Sequence, residues 1–163
     1  EIGKSLLEEA TVPIAADLLA KAGDKLVLPV DCLVTQKFAA GAETQVVSTA
    51  DMPVDWEGVD IGPQTRERFC QIVSDAGTVV WNGPLGVFEI EDFSAGTFAV
   101  ARALEQATWE SGAVSIVGGG DTAAAVAKAG AHRRMTHIST GGGASLESLG
   151  GCLLPGVEAL DDR

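Results

Sequence analysis

Four short apolar runs, KLVLPVD at 25–31, TVVWN at 78–82, AVSIV at 113–117 and THIS at 136–139, show no in–out alternation. Segments of helical spacing lie between them. From Pro63, PQTRERFCQIVSDAG puts Phe69, Ile72 and Val73 on one face, with Gly77 as its stop. FSAGTFAVARALEQATW, 93–109, carries apolar positions at 98, 100, 101 and 104. A strand that is apolar throughout is covered on both faces, so alternation of such runs with helices predicts a parallel sheet between helical layers. The expected fold class is α/β: a three-layer α/β/α Rossmann-like domain with a mainly parallel sheet. SLLEEATVPIAADLLAKA, 5–22, reads as two helical pieces divided by Pro13, and residues 40–61, rich in Gly, Ala, Asp, Thr and Pro, read as irregular.

At 163 residues the chain is read as one domain; such a length buries roughly two-thirds of its unfolded surface. A net charge of −12 argues against an extended nucleic-acid surface, because Lys and Arg neutralising phosphates dominate that affinity. It leaves room for a small phosphorylated ligand held by backbone amides. Cys32, Cys70 and Cys152 are odd in number and far apart, which reads as reduced thiols in a reducing cytosol. No signal peptide or stretch of about 20 apolar residues is present, and a cytoplasmic protein with no membrane partner is expected.

In parallel α/β sheets the ligand crevice opens beyond the carboxyl ends of the strands. Asn82, Gly118 and Ser139 fall at those ends. VGGGDT, 117–122, joins a strand to an alanine-rich helix, so its amides and the helix N-terminus suit an anion. Asp121 could reach a metal bridging phosphates; the plain alternative is a tight turn with Asp121 as helix cap. STGGGAS, 139–145, repeats the plan, and two such turns on one crevice suit phosphoryl chemistry. Gly3-Lys4-Ser5 lacks the first glycine and strand of a P-loop and is set aside. His132, beside Arg133 and Arg134, reads as a solvated connector, and His137 as a buried, hydrogen-bonded strand residue.

WNGPLGVFE at 81–89, GGGDT at 118–122 and THISTGGGASLE at 136–147 closely resemble the nucleotide-binding half of phosphoglycerate kinases. So do LPVD at 28–31, WEGVDIGP at 56–63 and LPGVEAL at 154–160. The resemblance implies direct phosphoryl transfer, without a phosphoenzyme, between 1,3-bisphosphoglycerate and Mg-ADP, giving 3-phosphoglycerate and ATP in glycolysis. Carried over, it implies that Asp121 meets Mg2+ on the nucleotide phosphates and that Gly119, Gly120 and Thr122 line the phosphate path. It implies that backbone amides around Gly119 and Gly142 stabilise the transferring phosphoryl group. Glu89 would hold the ribose hydroxyls, Asn82 and Pro84 would stand near phosphates and ribose, and Gly58, Leu85 and Leu6 would flank the adenine.

The resemblance covers only the latter two-fifths of such a kinase. The expectation is therefore that residues 1–163 are the nucleotide-binding, carboxyl-terminal domain without its first strands, its phosphate-facing GGAKVxDK lysines and the whole triose-binding domain. The sheet would be incomplete at its N-terminal side, the parent enzyme a monomer, and the fragment alone inactive. The alternative is a stand-alone, non-catalytic nucleotide-binding module or an inert remnant. Gly150 and Cys152 depart from the Glu and Lys common at these places in the family.

Overall fold

The computed structural model describes residues 2–160. Its elements in chain order are α1 (Val12–Ala22), β1 (Asp31–Thr35), β2 (Thr44–Ser48), β3 (Glu57–Ile61), α2 (Pro63–Asp75) and β4 (Thr78–Asn82). There follow α3 (Ala95–Glu110), β5 (Val114–Gly118), α4 (Gly120–Lys128), β6 (His137–Ser139), α5 (Gly142–Leu149) and α6 (Pro155–Glu158).

The parallel sheet has the order β4-β5-β6, paired from Thr78 opposite Val114 to Gly118 opposite Ser139. Successive side chains of a strand point to opposite faces, and the two faces are covered unequally. On one, Trp81 and Val117 pack with Val100, Ala101 and Leu104 of α3 and Val126 of α4, while Phe69 and Val73 of α2 close the edge of this core. On the other, Val80 and Ile116 line an open cavity together with Ala144, Ser145 and Leu149 of α5. The layers are α/β/α, as the apolar strand runs predict, but the second helical layer is thin and Val80 stays 42% exposed.

A second sheet, antiparallel and ordered β2-β1-β3, was not foreseen. It occupies part of the 40–61 stretch read as irregular, and its strand β1 begins where the expected strand 25–31 was to end. Residues 26–30 lie outside both ladders. Apolar character in LVLPV signals burial, not which neighbour supplies a ladder. β2 gave no signal because it is exposed along almost its whole length. Pro13 does not divide a helix either. It sits in the first turn of α1, where a missing N–H costs nothing.

Two aspartates join this small sheet to the helices of the main unit. Asp31 in β1 accepts hydrogen bonds from the Gln64 and Thr65 amides at 3.0 and 2.8 Å, capping α2 from outside. The Thr65 hydroxyl donates to the same carboxylate at 2.6 Å. Asp60 in β3 accepts from the Gly96 amide in the first turn of α3 at 2.6 Å and from its neighbour Ile61 at 2.8 Å. A Cβ at Gly86 or Gly96 would collide with the Asp60 carboxylate, so both positions need glycine for close approach rather than for backbone freedom.

Candidate functional site

Three loops leave the carboxyl ends of β4, β5 and β6, and the structure brings them into contact. At the end of β4, Asn82 directs its Oδ1 to the two glycine turns: a Cβ at Gly119 would come to 2.9 Å of it and one at Gly142 to 3.2 Å. A Cβ on Gly142 would stand 2.7 Å from the Gly119 Cα, so the turns touch backbone to backbone. Gly119 has φ of +94°, in the region that favours glycine. Its N–H donates to the Ser139 carbonyl at 3.0 Å, tying the β5 turn to the β6 turn.

That bond changes which amides face the crevice. With the Gly119 N–H committed to Ser139, the open donors of the β5 turn are those of Gly120, Asp121 and Thr122, the first amides of α4. Gly142 to Ala144 form the corresponding start of α5. Asp121 is exposed at the second position of α4, and no side chain caps the helix. The reading of Asp121 as a cap therefore fails. Thr122 is buried, and its Oγ1 accepts the Gly83 N–H at 2.8 Å, so it joins the β5 turn to the β4 loop.

The β4 loop is fixed at several points. Gly83 turns the chain with φ of +92°, and the Trp81 Nε1–H donates to its carbonyl at 2.7 Å. The Leu85 and Gly86 amides both donate to Oγ1 of the buried Thr97 in α3, at 3.1 and 3.0 Å. The Val87 amide donates to the Val59 carbonyl of β3 at 2.9 Å. Between β3 and this loop lies a cleft of about 400 Å³ lined by Gly58, Val59, Pro84, Leu85 and Val87, a size suited to a small ligand. Glu89 ends the loop exposed to solvent. Phe88 is buried and does not line the cleft.

Leu6 is fully exposed and does not line this cleft, although its neighbour Ser5 accepts the Gly58 amide at 3.0 Å. His137 is exposed rather than buried, at the first position of a strand of only three residues. Cys32, Cys70 and Cys152 are free thiols; burial pushes the first two thiols' pKa up, with the Asp31 carboxylate adding to it at Cys32. Thr97, Asp60 and Lys128 were missed as supports of the site. Each acts on a main-chain group distant in sequence, and no motif marks such a contact.

The phosphoglycerate kinase family model matches residues 1–152. Over 164 aligned residues the chain is 51% identical to the phosphoglycerate kinase of Chloroflexus aurantiacus, and over 165 it is 54% identical to that of Chlorobium chlorochromatii. In both cases 99% of this chain is covered but only 41% of the relative, so the chain spans about two-fifths of the length of these curated relatives. The solved structure of phosphoglycerate kinase from Coxiella burnetii superposes with a TM-score of 0.88 at 42% identity, over 97% of this chain and 41% of that one. The Pyrococcus horikoshii phosphoglycerate kinase gives 0.78 at 34% identity, over 93% and 36%. Sequence and fold agree along nearly the whole chain, and on that ground it belongs to the phosphoglycerate kinase family.

Proposed function

We propose that this chain forms the nucleotide side of a phosphoglycerate kinase. The complete enzyme would move a phosphoryl group between 1,3-bisphosphoglycerate and Mg-ADP, giving 3-phosphoglycerate and ATP, as a monomer in the cytoplasm. Residues 1–163 would be its nucleotide-binding domain, with the triose held by parts of the enzyme outside this chain. The observation that carries the reading is the backbone contact of the Gly119 and Gly142 turns beside Asn82. It gathers two helix N-termini at one point, where amides and helix dipoles favour anionic phosphate.

In this reading the Leu85 and Pro84 side of the cleft, with Gly58 opposite, takes the adenine, and Glu89 accepts from the ribose hydroxyls. The α4 amides of Gly120, Asp121 and Thr122 bind the nucleotide phosphates, and those at the start of α5 meet the group in transfer. Their preorganisation stabilises charge spread over the phosphoryl oxygens, while the two substrates are held in line.

The residues also fit a magnesium ion. Asp121 is exposed at the phosphate-facing end of α4, and no ion pair among the described residues includes it. No group of three metal-ligating side chains occurs among the described residues, as suits an ion held by one carboxylate and by nucleotide phosphates. When bound, the ion would neutralise phosphate charge. No helix among the described residues is long and apolar enough to cross a membrane.

Calorimetric titration of the chain with ADP, with and without Mg2+, tests the reading. Saturable binding that Mg2+ strengthens in the wild type but not in Asp121→Ala supports it; absence of binding overturns it. The chain alone is expected to form no ATP from 1,3-bisphosphoglycerate and ADP, and measurable formation would contradict the assignment of the triose site elsewhere.

A further inference from the structure

Lys128 stands in the last turn of α4, at the opposite end from Asp121. A lysine there ordinarily stays in solvent or favours the carbonyls of its own helix end. Here its Nζ leaves the helix and donates to two consecutive carbonyl oxygens of the β4 loop, Phe88 O at 2.8 Å and Glu89 O at 3.0 Å. The ammonium also lies 6.0 Å from the centroid of the Phe88 ring, which is itself buried. Among the described residues no ion pair includes Lys128 or Glu89, so the lysine grips the main chain of Glu89 and leaves its carboxylate open.

The same helix holds the other end of that loop through Thr122 and the Gly83 amide. Lys128 lies six positions after Thr122 in α4, a rise of about 9 Å. The segment 83–89 is therefore laid along α4 and fastened at both ends. We propose that Lys128 is a positioning residue that fixes the Glu89 carboxylate relative to the amides at the start of α4, so that the site measures a nucleoside diphosphate from ribose to phosphate. This inference rests on the nucleotide reading of Glu89 above. Without the lysine, the Phe88 and Glu89 carbonyls lose a charged donor and the ribose end of the loop is free to move, while the α4 amides keep their place.

Two measurements on the full 163-residue chain test this with Lys128→Met, which keeps length and helix propensity, and Lys128→Arg, which keeps the donor. In the ligand-free chain, amide hydrogen exchange at Val87, Phe88 and Ile90 is expected to rise roughly three- to tenfold in Lys128→Met, with β1 amides unchanged and Arg restoring protection. Calorimetry is expected to give a similar rise, roughly three- to tenfold, in the ADP dissociation constant for Lys128→Met, with inorganic pyrophosphate binding unchanged and Arg again restoring affinity. Unchanged exchange in the loop overturns the proposal, as does an equal loss of pyrophosphate and ADP binding, or altered exchange with unaltered ADP affinity. If the wild type binds no ADP while loop exchange responds to Lys128→Met, the nucleotide reading fails and the fastening of the loop stands.

Discussion

Asp60 and Gly96, 36 residues apart, meet through a 2.6 Å hydrogen bond from the Gly96 amide to the carboxylate. It ties the end of β3 to the first turn of α3, and through α3 to Thr97, the acceptor for the Leu85 and Gly86 amides. Asp60→Asn replaces one acceptor oxygen by a donor facing an amide, and is expected to cost about 1–3 kcal/mol, read from urea denaturation. A midpoint within error of wild type would show that the bond adds nothing to stability.

The two bridging aspartates should respond oppositely to acid. Burial pushes the Asp60 pKa up, against the lowering effect of the Gly96 and Ile61 amides. A folded value above the unfolded one means that the folded state binds the proton more tightly, so this contribution is full below the ordinary 3.8 and falls as pH rises through the folded value. At Asp31 burial also pushes upward, but the Thr65 hydroxyl and the Thr65 and Gln64 amides outweigh it and hold the pKa down. Its contribution is present above 3.8 and is lost as pH falls through the folded value. Denaturation followed from neutral pH downward should therefore show a smaller acid loss in Asp31→Asn and a larger one in Asp60→Asn than in the wild type.

Thr97→Val removes the acceptor for two amides while nearly preserving shape. The expected loss is about 2 kcal/mol of stability, together with weaker ADP binding as the Leu85 side of the cleft loosens. Urea denaturation and calorimetry on the same sample separate the two effects. Unchanged values in both would show that the Leu85 and Gly86 amides find other partners.

Gly142→Ala would place a methyl 2.7 Å from the Gly119 Cα, and the two turns must part. The fold should survive, because Gly142, although buried, opens α5 outside the hydrophobic core cluster. ADP affinity should fall roughly tenfold or more, since both sets of amides shift from their place. Circular dichroism reports the fold and calorimetry the affinity; wild-type affinity would show that the contact of the turns is irrelevant to binding.

The sequence carried the elements whose signal is local. TVVWN became β4 over the same residues, and the helical spacing from Pro63 and in 93–109 became α2 and α3 within two residues at either end. The glycine turns at 118–120 and 141–143 were legible because strand end, glycines and helix start are consecutive in the chain. What stayed hidden depends on partners far away. Residues 26–30 are as apolar as any strand yet lie outside both ladders, and β1, β2 and β3 pair through register rather than composition. Thr97 in an alanine-rich helix and Lys128 near a helix end look ordinary until the loop they hold is placed beside them.

The meeting of Gly119 with Gly142 also bears on how such a protein can diverge. At that corner Gly142 cannot gain a side chain without displacing Gly119, and at Gly119, with φ of +94°, a Cβ would press on the Asn82 Oδ1. Substitution has no purchase there: the spacing of the two turns is set by the radii of two Cα atoms, the same in any descendant that keeps both glycines. On the nucleotide reading proposed above, drift in ligand preference would come from Leu85, Glu89 and the walls of the neighbouring cleft, where side chains can change. One corner of the molecule is thus frozen by having nothing to mutate into, and the other is where lineages can part.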